Sequence, residues 1–352
     1  MITKIEKPRN KEEILRVLDP LVKEWFFSHF KEFSLPQLYG VMPIWERKNI
    51  LISAPTGGTK TLTCFLSILN YLTSLARKNE LENKIYVVYV SPLKALNNDI
   101  FVNLIEPLKE IQEIAKKQKI KLQEIRVAVR TGDTSTEDRQ KMLKKVPHIV
   151  ITTPETLAII LTTRKFIEHL KAVEFIIVDE IHALANKRGV HLSLSLERLQ
   201  HLDTIPPVRI GLSATISPLE EIAKFLVGYD NNKERDCLIA DVQFAKKLDI
   251  KVLSPLKDFI DTNAKEMQQG LYGLLDKLIQ EHRTTLIFTN TRSATERVIA
   301  HLKELFPSRY LEDIGAHHSS LSKQHRFDIE QRLREGKLKC VVTSTSLELG
   351  ID

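Results

Sequence analysis

Asn49-Ile50-Leu51-Ile52-Ser53-Ala54-Pro55-Thr56-Gly57-Gly58-Thr59-Lys60-Thr61 is the stretch that decides the fold. An unbroken apolar run opens into a loop with two adjacent glycines and closes on Lys-Thr at the mouth of a helical pattern. Because the run does not alternate with polar residues, it predicts a strand buried on both faces, as in a parallel sheet covered by helices. Similar runs recur at 85–90, 125–129, 148–152, 175–178 and 208–212. Helical periodicity fills the intervals at 61–77, 96–116, 136–144, 190–200 and 218–226. Strand, loop and helix in repeated alternation predict an α/β, doubly wound layer.

The pattern breaks after Val227. Gly228-Tyr229-Asp230-Asn231-Asn232 reads as a turn-rich interruption, and 236–262 reads as an irregular inter-domain linker. A second α/β series follows, with helices at 265–281, 293–305 and 323–335 and strands at 285–288, 313–317 and 340–343. The expected organisation is a first domain over 1–235, the linker 236–262 and a second domain over 263–352. About 90 residues are few for a doubly wound sheet, so the second domain reads as incomplete, with strand 340–343 near an unpaired edge.

Composition sets outer limits. The 352 residues are 43% apolar and 28% charged, with 12 glycines and 14 prolines, which excludes collagenous, low-complexity and largely disordered chains. No apolar stretch approaches the roughly 18 residues of a membrane span, and the opening MITKIEKPRNKEE lacks the apolar segment of a secretory signal. The expectation is a cytoplasmic protein with no membrane partner. Cys64, Cys237 and Cys340 form no CxxC pair and read as small apolar fillers in a reducing compartment. The net charge of +7 and pI of about 9.1 fit a phosphate-rich partner. Lys116, Lys117, Lys119 and Lys121 read as a solvated helix face.

The chemistry starts at the glycine loop. Backbone N–H groups of Thr56, Gly57, Gly58 and Thr59 would cradle phosphate oxygens at the positive end of the following helix. Lys60 would reach the β- and γ-phosphates, and the Thr61 hydroxyl would ligate Mg²⁺. Where this pattern has glycine before the lysine, the chain has Thr59, whose branched side chain crowds the phosphates and resists a positive φ. Phe175-Ile176-Ile177-Val178-Asp179-Glu180-Ile181-His182 delivers two adjacent carboxylates at the C-terminal end of a buried strand, where open α/β sheets bind ligands. Asp179 would hold Mg²⁺ and Glu180 would orient or deprotonate an attacking water, with His182 one turn further.

With these residues in place, the sequence resembles a superfamily 2 helicase, in detail the large helicase-related (Lhr) family. Ser91-Pro92-Leu93-Lys94-Ala95-Leu96-Asn97-Asn98-Asp99 looks like its motif Ia. Arg130-Thr131-Gly132-Asp133-Thr134 and Thr152-Thr153-Pro154-Glu155-Thr156-Leu157 resemble motifs Ib and Ic. Val178 to Leu184, followed by Lys187-Arg188-Gly189-Val190-His191-Leu192, resembles the extended motif II region, and Ser213-Ala214-Thr215 resembles motif III. In the second series, Leu286-Ile287-Phe288-Thr289-Asn290-Thr291-Arg292 looks like motif IV. Ala316-His317-His318-Ser319-Ser320-Leu321-Ser322 and Ser344-Thr345-Ser346-Leu347-Glu348-Leu349-Gly350-Ile351-Asp352 resemble the next two.

The resemblance implies two RecA-like, P-loop NTPase domains and an enzyme coupling Mg²⁺–ATP hydrolysis to translocation and unwinding of DNA or an RNA–DNA hybrid. ATP and Mg²⁺ are the implied cofactors, and single-stranded or partly duplex DNA or RNA is the implied partner. Lys60, Asp179, Glu180 and His182 become catalytic, with Thr61 and Asp179 on the metal. Gln37 would read the adenine edge, for which an amide offers a donor and an acceptor. Gly350 and Asp352 would complete the nucleotide site. Lys94, Asn97, Thr131, Gly132, Thr153 and Pro154 would hold a strand by its backbone, opposed by Thr291, Arg292, His318 and Thr345. Ser213 and Thr215 would couple the two activities. Trp25 and Phe26 read as core, and His317-His318 lacks a third ligand for a metal. The family's arginine-bearing motif VI lies beyond motif V, so the resemblance implies a core truncated within its second domain, completed by a further chain if the gene is split. The competing reading is a non-catalytic nucleic-acid-binding module.

Overall fold

The computed structural model describes residues 1–55, 59–92, 100–184, 187–202, 205–214, 216–242, 249–256, 258, 260, 262–318 and 320–344. The chain divides into two compact units, Met1–Lys247 and Leu248–Asp352.

The first unit is built on an eight-stranded sheet. Its strands are β1 (Ile2–Lys4), β2 (Ile50–Ser53), β3 (Val87–Val90), β4 (Val127–Arg130), β5 (Ile149–Thr152), β6 (Phe175–Val178), β7 (Val208–Ser213) and β10 (Cys237–Asp241). They lie in the order β1-β10-β2-β7-β6-β3-β5-β4, every pair parallel. Successive residues feed opposite cores. Ile50, Ile52, Val87, Tyr89, Phe175 and Ile177 pack on one face, while Leu51, Val88, Val90, Ile176 and Val178 pack on the other. This two-sided burial is what the non-alternating runs demanded.

The N-terminal region forms helices α1 (Lys11–Val17), α2 (Pro20–His29) and α3 (Leu35–Trp45). Asn10 and Asp19 cap the first two by accepting the Glu12 and Leu21 N–H groups. Their apolar sides, with Trp25 and Phe26 buried as expected, pack on Leu62 and Leu66 of α4 (Lys60–Lys78) and on Ile111 of α5 (Glu106–Lys117).

The segment from Asp236, read from sequence as linker, contains strand β10, which pairs between β1 and β2. The first unit accordingly extends past residue 235, to Lys247. The reason is non-local: Cys237 registers with Ile2, and a five-residue strand carries no signal of a partner at the other end of the unit. Just before it, β8 (Tyr229–Asp230) and β9 (Lys233–Glu234) form a small antiparallel hairpin. Its turn residues Asn231 and Asn232 have φ of 47° and 64°, a conformation that asparagine tolerates.

The second unit holds a parallel sheet ordered β11 (Thr285–Phe288), β13 (Cys340–Thr343), β12 (Ile314–His317). Cys340–Thr343 is therefore the central strand and not an edge. All four of its residues are buried, whereas β11 leaves Leu286 and Phe288 exposed. The strand with the most continuous burial takes the middle.

The three cysteines are buried and free. Burial pushes the Cys237 and Cys340 thiols up to about 12, which suits inert fillers. No helix among the described residues is long and apolar enough to cross a membrane.

Candidate nucleotide site and strand-binding residues

Strands β2, β7 and β6 are neighbours in register: Ser53 pairs with Ser213, and Val178 pairs with Gly211. Their shared C-terminal edge gathers the candidate catalytic groups. Lys60, the first residue of α4, is buried, and its Nζ donates to the Ala54 oxygen at 2.9 Å and the Pro55 oxygen at 3.4 Å. Asp179 accepts the Tyr89 hydroxyl and, at 2.9 Å, the Glu180 N–H. Tyr89 was not singled out from sequence. It sits on β3, next to β6, and reads there as one more aromatic core residue.

Beyond Asp179 the chain turns sharply. Glu180 has φ of 47°, a conformation unfavourable for a side chain bearing Cβ and common where strain serves a site. Glu180 Oε2 lies 3.3 Å from His182 Nε2, and His182 Nδ1 accepts the Ala214 N–H at 3.2 Å. An N–H donor fixes Nδ1 as the unprotonated nitrogen and leaves the ring proton on Nε2, towards Glu180. Burial, and secondarily the Lys60 charge, holds this imidazole below its ordinary pKa. Ser213 and Ser53 both donate to the Ala214 oxygen, at 2.9 and 3.2 Å. The link between the Ser213 segment and His182 thus runs through backbone, at Ala214. Gly189 permits the close approach behind it: a Cβ there would lie 1.8 Å from the Leu184 oxygen at the end of the turn carrying His182.

Thr59 adopts the conformation that its branching was expected to resist. Its φ is 56° and ψ 20°, left-handed, as the glycine of a phosphate loop would be. Its hydroxyl lies 2.6 Å from that of Ser34. Gln37 is buried, and its Oε1 accepts the Ser34 N–H at 2.8 Å as part of a capping box on α3. Its carbonyl is thereby engaged in holding the helix start. Thr61 follows Lys60 in the first turn of α4. Among the described residues no group of three or more His, Cys, Asp or Glu could hold a metal. Thr61 and Asp179 nevertheless suit Mg²⁺, which takes few protein ligands and completes its shell with phosphate and water. Thr56, Gly57, Gly58, Thr215, Gly350 and Asp352 lie outside the described residues.

Of the strand-binding candidates, Lys94, Asn97 and Thr345 also lie outside the described residues. Thr131 and Gly132 form the turn after β4, where the Thr134 hydroxyl accepts the Thr131 N–H and Arg139 donates to the Gly132 oxygen. Thr153 caps α7 (Pro154–Ile160), bonding Thr156, with Pro154 buried at the first helical position. Arg188, quoted from sequence only as part of a motif, was given no role. It binds Glu155 at 2.6 Å and the Pro92 oxygen at 2.9 Å, tying α8 (Lys187–Gln200) to α7 and to Pro92, in two of the motifs that the sequence reading had picked.

In the second unit, Thr291 caps α11 (Arg292–Leu305) and Arg292 binds the Ser320 hydroxyl. His318 is buried, with Nε2 2.6 Å from Glu296. Arg292, Arg297, Glu296 and His318 line an open groove of about 600 Å³. His317 faces Glu330 instead, at 3.0 Å.

Two family models match the chain: "DEAD/DEAH box helicase" over residues 35–223 and "Helicase conserved C-terminal domain" over 270–352. An ATP-dependent helicase Lhr-Core of Methanocaldococcus jannaschii is 56% identical over 99% of this chain. An ATP-dependent helicase Lhr-Core protein 2 of Thermococcus barophilus is 57% identical over the whole of it. The solved structure of Mycobacterium smegmatis helicase Lhr bound to ssDNA and AMP-PNP superposes with a TM-score of 0.76 at 38% identity, over 95% of this chain and 42% of that one. The chain spans about 40% of the length of the curated relatives it matches. The two relatives named above are ATP-dependent helicases of the Lhr-Core type, and on the match over residues 35–223 the chain belongs to the DEAD/DEAH box helicase family.

Proposed function

We propose that this chain is the motor core of an ATP-dependent helicase that moves along single-stranded nucleic acid, with DNA or an RNA–DNA hybrid as the duplex opened. The observation that carries the reading is the grouping of Glu180, His182 and Ala214, because it sets the carboxylate that would activate water 3.3 Å from an imidazole bonded to the end of a neighbouring strand. Bound Mg²⁺–ATP would supply the phosphoryl group to be transferred and the charge that neutralises its oxygens. Lys60 would exchange the Ala54 and Pro55 carbonyls for phosphate oxygens, and Asp179, held by Tyr89, would present its carboxylate to the metal. Glu180 would orient the attacking water and accept its proton.

On the nucleic-acid side, Arg292 and Arg297 would offer charge to phosphates in the groove of the second unit, and in the first unit the turn at Thr131 and Gly132 would offer short donors to a phosphate backbone. Such contacts fix register without reading bases, as translocation requires. The relative from M. smegmatis bound to ssDNA supports a single strand of DNA as the first ligand to try.

The test is ATP hydrolysis by the full chain with and without single-stranded DNA, alongside strand binding. Hydrolysis that rises severalfold with the strand and vanishes in Glu180→Gln supports the reading. Tight strand binding with no hydrolysis under any condition would make the chain a non-catalytic binding module.

A further inference from the structure

Thr59 combines two features that are each unusual. A β-branched residue occupies the left-handed region directly before the phosphate-loop lysine, and its hydroxyl is tied to Ser34 at 2.6 Å, across a sequence separation of 25. Ser34 is the N-cap of α3, and its N–H is held by Gln37, the residue assigned to the adenine edge. Glycine, the usual occupant of this loop position, would give the backbone freedom at no steric cost but could offer no hydroxyl. Thr59 therefore accepts strain and gains a tether.

We infer that the Thr59–Ser34 hydroxyl pair is a latch that sets the base-reading helix α3 against the phosphate loop before nucleotide arrives, making Thr59 and Ser34 positioning residues for whole-nucleotide recognition. The inference rests on the nucleotide reading of this site. Two hydroxyls bonded in a half-buried place fix both partners, because each loses its partner if either element shifts. The chain from Lys60 through Thr59 and Ser34 to Gln37 is continuous in bonds, so phosphate contact and base contact are aligned in one piece. A preset site of this kind gains affinity by removing the ordering cost of binding.

The test uses the full chain. Thr59→Val keeps the branching and removes the hydroxyl; Thr59→Ser keeps the hydroxyl. In the absence of nucleotide, Thr59→Val should speed hydrogen exchange at the Gln37 and Leu38 amides, and Thr59→Ser should leave it near the unaltered rate. In titration calorimetry, Thr59→Val should weaken ATP binding about five- to tenfold, the worth of one hydrogen bond, while inorganic tripolyphosphate, which has no base to align, changes less than about twofold. Thr59→Ser should restore ATP affinity. Equal losses for ATP and tripolyphosphate, or unchanged exchange in the first turn of α3, would overturn the latch. Gln37→Ala is the separate arm: if it leaves the preference for ATP over GTP intact, adenine reading by Gln37 fails, whereas the Thr59→Val outcomes still decide the latch. No ATP binding by the unaltered chain would overturn both.

Discussion

His182 in the first unit and His318 in the second each lie shortly beyond the C-terminal end of a buried parallel strand and each turns Nε2 to a glutamate, yet only His182 also accepts a backbone N–H at Nδ1. His182 accepts a backbone N–H at Nδ1 and faces Glu180 with Nε2, so it connects a candidate catalytic carboxylate to the end of β7. His318 meets the Glu296 carboxylate and so joins a strand end to α11, with Arg292 and Arg297 beside it on the groove. The first unit links its functional groups to one another; the second uses its imidazole to hold a helix and leaves the charge to arginines. Resemblance to the same class of strand-end motif therefore does not imply the same job. The bonding of each nitrogen decides it.

The largest effect should come from Glu180. Glu180→Gln keeps shape and loses the base, so turnover should fall by about 10²- to 10⁴-fold while ATP still binds. Single-turnover ATPase with parallel calorimetry separates the two, and a retained rate would remove Glu180 from the chemistry. Acidity probes His182 next. Burial and Lys60 disfavour the proton-bearing ring, so the neutral acceptor should survive below the ordinary pKa of about 6.5. Strand-stimulated ATPase should accordingly hold from pH 8 down through the ordinary imidazole value of about 6.5 and fall only in more acidic solution, as the Nδ1 acceptor is lost. A fall centred above about 6.5 would show that the imidazole is not held neutral.

A second substitution separates caps from contacts. The Thr153 hydroxyl is spent on the Thr156 end of α7. Thr153→Ala should therefore cost about 1 kcal/mol in urea unfolding and change strand affinity less than Arg292→Ala does. The reverse ranking would return Thr153 to the strand contacts. Arg292→Ala itself should act on strand binding alone. A surface arginine on a phosphate should weaken single-strand binding a few-fold and reduce the salt slope by about 1. An unchanged slope would place Arg292 off the strand.

Much of this architecture was legible before folding. Runs such as 50–52 and 175–178 could be read because each is apolar at every position, a pattern that only two-sided burial rewards. The strands that escaped, β1 and β10, are short, lie at the rim of the sheet and pair with each other from opposite ends of the unit. The central place of Cys340–Thr343 escaped as well, since strand order is set by how connections cross the sheet. At the candidate site, Lys60, Asp179, Glu180 and His182 could be singled out because residue type and spacing point to nucleotide chemistry. Tyr89, Ala214 and Ser34 were not, because a tyrosine, a backbone N–H and a capping serine look the same wherever they occur.

The sequence by itself therefore determined the layer architecture and the inventory of reactive groups, since both follow from local pattern and residue chemistry. The tertiary structure alone decided the wiring. It placed Asp179 beneath Tyr89, turned Nδ1 of His182 to Ala214 and forced Thr59 into a left-handed conformation tied to Ser34. Each of these is a hydrogen bond between segments far apart in the chain, whose partners are fixed only when the strands take their places in the sheet.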